Sequence, residues 1–270
     1  MWWLIWFIFG SCLGSFLNVC IYRMPREQSI VHPGSRCPQC NQPIAWFDNI
    51  PFVSFALLRG ACRRCHHRIS WRYPTVELLT GLTTAAVLQR FGAGPVGFVY
   101  LAFLAGLIAA SFIDLDFQII PDEISLGGLV VGVVLSVLVP ALHGTDSRLL
   151  ALERSGIGLL VGGGVLYLTG VLGDFLFKKE SMGGGDIKLL AMAGSILGWK
   201  LVLLTFFLAP VLALLPGFFV LLFRRSHVIP YGPFLSLALA VALFFGRDLI
   251  HLSRMDETMQ LMWDYYGWKP

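Results

Sequence analysis

Asp114 and Asp186 stand at the rims of apolar stretches in a chain of 270 residues of which only 13% are charged, and the second closes the run Gly183-Gly184-Gly185-Asp186. A carboxylate beside hydrocarbon costs roughly 2.5–3.5 kcal/mol on insertion scales even with relief from snorkelling and water, which makes each a functional candidate by default. Two of them suggest a shared acid and base. If the carboxylates meet in space they cannot both ionise easily, so one proton is shared across neutral or mildly acidic pH. The ionised member would activate water and the protonated one would polarise a peptide carbonyl. Such a titration belongs to the pair, so neither role attaches to a named residue.

Each aspartate also has a plainer use. Asp114 ends the apolar run at Ile113 and could simply be solvated, while Asp116, two residues on, falls roughly on the opposite side of a helix and is the reserve candidate. Asp186 ahead of Ile187-Lys188-Leu189-Leu190 is a good helix N-cap sequence. The three glycines before it exceed what a cap needs; they would permit unusual backbone angles and close approach of an extended peptide. Asp122 and Glu123 follow Pro121, which interrupts the helix, and complement the dipole of the next first turn. Glu77 has the same plain role, or makes a polar contact inside the helix bundle.

Four of the six cysteines form Cys37-Pro38-Gln39-Cys40 and Cys62-Arg63-Arg64-Cys65, two CxxC knuckles at a spacing that zinc ribbons use. Tetrahedral thiolate ligation needs two tight turns that each present a pair of sulfurs, and the nearby Arg63, Arg64 and Arg68 would offset the thiolate charge. Two disulfides or a redox dithiol compete with this reading, but no thioredoxin-like pattern surrounds the cysteines and a cytoplasmic insert is kept reduced. A structural zinc ion is expected, supplying folding energy to an insert too small to build much of a core. His66 and His67 are spare ligands; Cys12 and Cys20 are expected to be small buried hydrophobes.

The elements that must position these groups are transmembrane helices. With 56% hydrophobic residues the chain is far more apolar than soluble domains, and bilayer-length apolar stretches recur along it. About eight spans are expected in an all-α polytopic membrane protein: Trp2 to Tyr22, Tyr73 to Arg90, Val96 to Ile113, Ile124 to Leu142, Ile157 to Phe177, Ile187 to Leu197, Val202 to Phe223 and Phe234 to Ile250. The chain divides into a first anchor (1–22), a four-cysteine insert resembling a zinc ribbon (23–72), a catalytic helix bundle (73–250) and a short interfacial tail (251–270). No internal repeat is evident. The first span is read as a retained anchor rather than a cleaved signal peptide.

Orientation follows from Lys and Arg. Arg23, Arg26, Arg36, Arg59, Arg63, Arg64, Arg68 and Arg72 mark the insert as cytoplasmic. Alternation then puts Lys178, Lys179, Arg224 and Arg225 on the same side, with Asp114 and Asp186 at that edge. The opposite face takes Arg148, Arg154, Lys200 and a tail carrying Trp263, Tyr265, Tyr266 and Trp268, which reads as an aromatic belt. The net charge of +4 comes mostly from the cytoplasmic loops, so lipid is an expected partner and nucleic acid is not.

Taken in order, Gly14-Ser15-Phe16-Leu17-Asn18-Val19, the two knuckles, Arg72-Tyr73-Pro74-Thr75-Val76-Glu77-Leu78, Ile113-Asp114-Leu115-Asp116 with Ile120-Pro121-Asp122, Gly183-Gly184-Gly185-Asp186-Ile187-Lys188-Leu189 and Tyr231-Gly232-Pro233-Phe234 resemble the bacterial type IV prepilin peptidases. The resemblance covers nearly the whole chain. It implies a Gly-x-Gly-Asp membrane aspartic protease of the bacterial inner membrane, with Asp114 and Asp186 catalytic, acting on the cytoplasmic side after the leader glycine of prepilins or pseudopilins. It also implies zinc on Cys37, Cys40, Cys62 and Cys65, and N-methylation of the new N-terminus from S-adenosylmethionine. No Rossmann-like glycine fingerprint locates a methyl-donor pocket, so those residues stay unassigned.

Other classes are carried beside it. Intramembrane carboxylates could bind a cation in a transporter with a zinc-ribbon docking insert, although carriers often show inverted repeats. A non-catalytic scaffold is the blandest alternative. Serine and metalloprotease chemistry lacks a Gly-x-Ser-x-Gly elbow and a His-Glu-x-x-His helix.

Overall fold

A computed structural model of the protein describes residues 2–179, 182–223 and 230–252, without the side chains of 215–223. The chain forms two compact units, Met1–Ile124 and Ser125–Pro270. Among the described residues both are helical, with β-structure limited to two isolated bridges.

The first unit is built on α1 (Trp2–Arg23), a short α2 (Val53–Leu57) inside the insert, α3 (Arg72–Phe91) and α4 (Pro95–Phe117). Glycine sets the distance between α1 and α3. A Cβ on Gly14 would lie 2.7 Å from the Glu77 Cα, and one on Gly10 would lie 2.3 Å from the Thr84 Oγ1. Gly10 and Gly14 are one helical turn apart, the small-residue spacing that lets helices in lipid approach backbone to backbone. Thr80 and Thr84 then satisfy their hydroxyls on the carbonyls of Val76 and Thr80. Against this pair α4 packs a core of Leu17, Ile21, Val76, Ala105, Ile108, Ala109 and Ile113. Gln118 ends α4 in the left-handed conformation, its N–H bonded to the Asp114 carbonyl.

In the second unit α5 (Asp122–Leu138), most of which lies in it, precedes α6 (Arg148–Phe177), α7 (Gly184–Leu197), α8 (Trp199–Phe223) and α9 (Gly232–Leu252). The α6–α7 crossing is closest at Gly158 and Gly194, where a Cβ on either would come within 2.1 Å and 2.0 Å of the other's carbonyl oxygen. At one end the hydroxyls of Ser136 and Ser155 both donate to the Ser195 carbonyl, and the His143 ring contacts the same oxygen. Buried polar groups are thereby paired, as a low-dielectric interior requires.

Helices occupy all the apolar segments expected from sequence, with shifted ends. α5 stops at Leu138 rather than Leu142 because Pro140 removes a donor and starts a separate 3₁₀ turn. α6 starts at Arg148, before the expected Ile157, because Ser147 caps it by accepting from the Leu150 N–H. Among the described residues, four helices qualify by length and composition to cross a bilayer, namely α1, α4, α6 and α9. The chain is a multi-pass membrane protein, but the count of about eight spans is not established. α3 carries Arg72, Glu77 and several threonines, and α5 and α7 have only 17 and 14 residues. Cys12 corrects another expectation: it is exposed on α1, whereas Cys20 is buried. Arg224, Arg225 and the tail aromatics lie outside the described residues.

Candidate active site and metal centre

The two cysteine knuckles are copies of one another. In the first, the Cys37 N–H bonds the Gln42 carbonyl and the Asn41 N–H bonds the Cys37 carbonyl; in the second, Cys62 pairs with His67 and His66 with Cys62. Asn41 and His66 hold the corresponding left-handed conformations, at φ 55° and 54°. The bridges Arg36 to Pro43 and Ala61 to Arg68 also correspond. This corrects the expectation of no internal repeat. The signal was present, since Cys-x-x-Cys-x-x-x-Ile-x-Trp occurs from Cys37 to Trp46 and again from Cys62 to Trp71.

The four sulfurs lie within 4.8 Å of one another, close enough for one metal ion, and His66 and His67 are not part of the cluster. Backbone N–H groups of Cys65 and Arg64 point at the Cys62 sulfur and pull its thiol down to about 6. Asp48 is gripped by both nitrogens of the Arg63 fork at 2.9 and 2.7 Å, and this pairing holds its carboxyl below the usual range.

At the end of α4 the two neighbouring aspartates have different surroundings. Asp114 is buried, with 7% of its surface exposed. Asp116 is exposed and its carboxylate is ion-paired with the Arg72 guanidinium at the start of α3. The same end is fastened by Arg26, which lies over the rings of Tyr22 and Phe117 at 4.1 and 4.9 Å from their centres.

Asp186 sits in the first turn of α7, whose N-cap is Gly183. The expected N-cap role for Asp186 is therefore displaced by three positions, because Gly184 and Gly185 are helical. None of the three glycines is found at positive φ. What they supply is room: a Cβ on Gly183 would lie 3.2 Å from the Asp186 Oδ2, and one on Gly184 would meet nothing within 4 Å. Tyr231, just before α9, is half-buried; burial and the Asp186 charge push its phenol up to about 12.

A cleft of about 1450 Å³ opens between the insert and the facing ends of α1 and α3. Arginines line much of it, and its carboxylates are Asp48 and Glu77. Glu77 is buried and accepts the Phe52 N–H at 3.2 Å.

Two family models divide the chain. Residues 8–91 match the bacterial peptidase A24 N-terminal domain and residues 101–218 match the type IV leader peptidase family. The chain belongs to the type IV leader peptidase family. A relative from Aeromonas hydrophila, named prepilin leader peptidase/N-methyltransferase, is 35% identical over 270 residues that cover 90% of each chain. One of the same name from Pseudomonas putida is 35% identical over 92% of each. A third, from Myxococcus xanthus, is 41% identical over 73% of this chain but only 56% of its own length. No solved structure matches.

For a leader peptidase, the first match takes in α1, the knuckles and α3, and the second takes in α4 to most of α8, with Asp114 and Asp186 inside it. The transporter alternative finds no support in these relatives. Asn18 and Phe52 also line the cleft, and as neither is titratable, residue type alone does not mark them.

Proposed function

We propose that the chain is a membrane aspartic endopeptidase that removes the leader peptide of type IV prepilins and pseudopilins, and that it N-methylates the new N-terminus. The reading is carried by the contrast at the end of α4. Arg72 neutralises Asp116, which leaves Asp114 as the buried carboxylate next to the apolar run. Asp114 is one member of the catalytic pair and Asp186, on the glycine-rich start of α7, is the other.

The chemistry is that of two carboxylates sharing a proton. The ionised member takes a proton from water as the water oxygen attacks the scissile carbonyl; the protonated member donates to the carbonyl oxygen. Collapse of the tetrahedral centre returns a proton to the leaving amine. Gly183 and Gly184 leave the Asp186 side open to an extended peptide.

A structural zinc ion suits the knuckles: four thiol sulfurs converge within 4.8 Å and backbone donors favour the thiolate at Cys62. Cys37, Cys40, Cys62 and Cys65 would hold it, and its contribution is to the folding of the insert. S-adenosylmethionine is the methyl-donor substrate. The enzyme lies in the bacterial inner membrane with the insert, Asp114 and Asp186 at the cytoplasmic face, a placement that rests on the arginine-rich insert. Its substrates carry an apolar N-terminal helix and reach it through the lipid.

Incubation of the purified protein with a prepilin, followed by mass measurement, reads leader loss and methyl addition together. An intact prepilin after prolonged incubation with metal-replete enzyme would reject the reading.

A further inference from the structure

We propose that Glu77 and Asn18 form the receptor for the newly exposed α-amino group, placing methyl transfer at the floor of the cleft; the inference rests on the methyltransferase part of the function proposed above. Asn18 on α1 is 98% buried, since only 2% of its surface is exposed. Its amide nitrogen donates to the carbonyls of Gly14 and Tyr73 at 3.3 and 3.1 Å, which fixes the orientation of the group. The Oδ1 that remains has no hydrogen-bond partner among the described residues. A buried acceptor left in this way calls for a donor that the chain does not supply.

Glu77 stands one turn after Tyr73 on α3, and both residues line the cleft with Asn18. Its carboxylate accepts the Phe52 N–H. The hold on the Phe52 side is strained. Phe52 has φ 59° and ψ −46°, and the Val53 N–H reaches back to the Pro51 carbonyl at 2.6 Å, the three-residue turn at positive φ that chains seldom adopt. Strain of this kind is retained where it aims a group for use. On the opposite side Gly14 brings α1 onto the Glu77 backbone itself.

Charge selects what fits there. The cleft has arginines along its walls, and of its two carboxylates Asp48 is already bound by Arg63. Glu77 is in no ion pair among the described residues. An ammonium group brings three donors and a positive charge, the complement of a carboxylate and an amide oxygen. Phe16, Val19 and Phe52 line the same cleft and offer apolar surface for the first side chain. A substrate helix anchored in lipid keeps its amine near the membrane edge, where α3 begins.

The carboxylate of Glu77 accepts one proton from the ammonium and restores the nitrogen lone pair. The nitrogen then forms its bond to the methyl carbon of the donor as the carbon–sulfur bond breaks. The electron pair of that bond goes to sulfur, and the positive charge passes to the methylated amine, which loses its extra proton to water.

Binding of a leaderless product peptide to the full-length enzyme, compared with its N-acetylated twin, tests the assignment. The wild type should prefer the free amine by about tenfold or more, the size expected for charge-assisted hydrogen bonds, and Glu77→Gln should erase that preference. In the same variant, S-adenosylmethionine affinity should stay near the wild-type value, while methyl groups per cleaved chain fall by about tenfold or more. Glu77→Asp should recover part of the preference, and Asn18→Ala should weaken it without the loss of charge. Retained preference for the free amine in Glu77→Gln would overturn the proposal, and so would a parallel loss of donor affinity. If the wild type cleaves but never methylates, the broader methyltransferase reading fails, and the peptide comparison still judges the amine site.

Discussion

Arg72 at the start of α3 holds the carboxylate of Asp116, and this ion pair distinguishes two aspartates that stand two positions apart on α4. Asp114→Asn should reduce leader cleavage by roughly 10²–10⁴-fold, the usual worth of a general acid or base. Asp116→Asn should leave most of the rate and lower stability by about 1 kcal/mol or less, because the pair is partly exposed. Mass analysis of cleaved prepilin and thermal melting in detergent read the two effects. Equal losses in both variants would dissolve the distinction.

Around Asp186 the glycines differ in what they tolerate. Gly183→Ala puts a methyl 3.2 Å from the carboxylate and should lower kcat by about tenfold, since displacements of an ångström or less at a reacting group are costly. Gly184→Ala meets open space, so its melting temperature should hold, and any deficit should appear in KM as crowding of the bound peptide. Steady-state kinetics on a prepilin peptide separates the two.

Cys62 should be the most reactive thiol of the metal-free insert. With its thiol near 6, the thiolate fraction rises with pH through that value, so iodoacetamide labelling should climb from pH 5 and level off above about pH 7. Metal-replete protein should resist labelling at all four knuckle cysteines. Peptide mapping after timed alkylation gives the site-by-site rates, and a Cys62 no faster than Cys40 at pH 7 would count against the arrangement.

The α6–α7 crossing makes a stability prediction independent of chemistry. Gly158→Ala drives a methyl to 2.1 Å from the Gly194 carbonyl and should destabilise the protein by about 1–3 kcal/mol, as overpacking does. Gly164→Ala on the same helix meets nothing within 4 Å and should be neutral or stabilising by up to about 1 kcal/mol through helix propensity. Thermal melting in one detergent compares them directly.

Much of this protein can be read without coordinates, because the signals are local or compositional. Apolar runs of bilayer length become helices wherever the backbone must satisfy its own hydrogen bonds, and Pro121 and Pro140 interrupt them by chemistry that does not depend on neighbours. The CxxC pairs announce their sulfur cluster because the turn that makes a knuckle is encoded within a few residues. The repeat of that knuckle was equally local and became evident through matching hydrogen bonds at Cys37 and Cys62.

What the tertiary structure decided lies where distant segments meet. Asp114 and Asp116 are both aspartates beside apolar sequence; packing buries the first, and the second stays exposed and pairs with Arg72 from α3. Asn18 is an unremarkable polar residue until the carbonyls of Gly14 on its own helix and Tyr73 on α3 take its amide hydrogens and leave its buried oxygen without a partner among the described residues. Glu77 could have been a helix-dipole charge, and it became a cleft carboxylate because a strained turn at Phe52 folds back onto it. Residue types set which chemistry is available, but burial and pairing are sums over neighbours, and those neighbours are chosen by the fold.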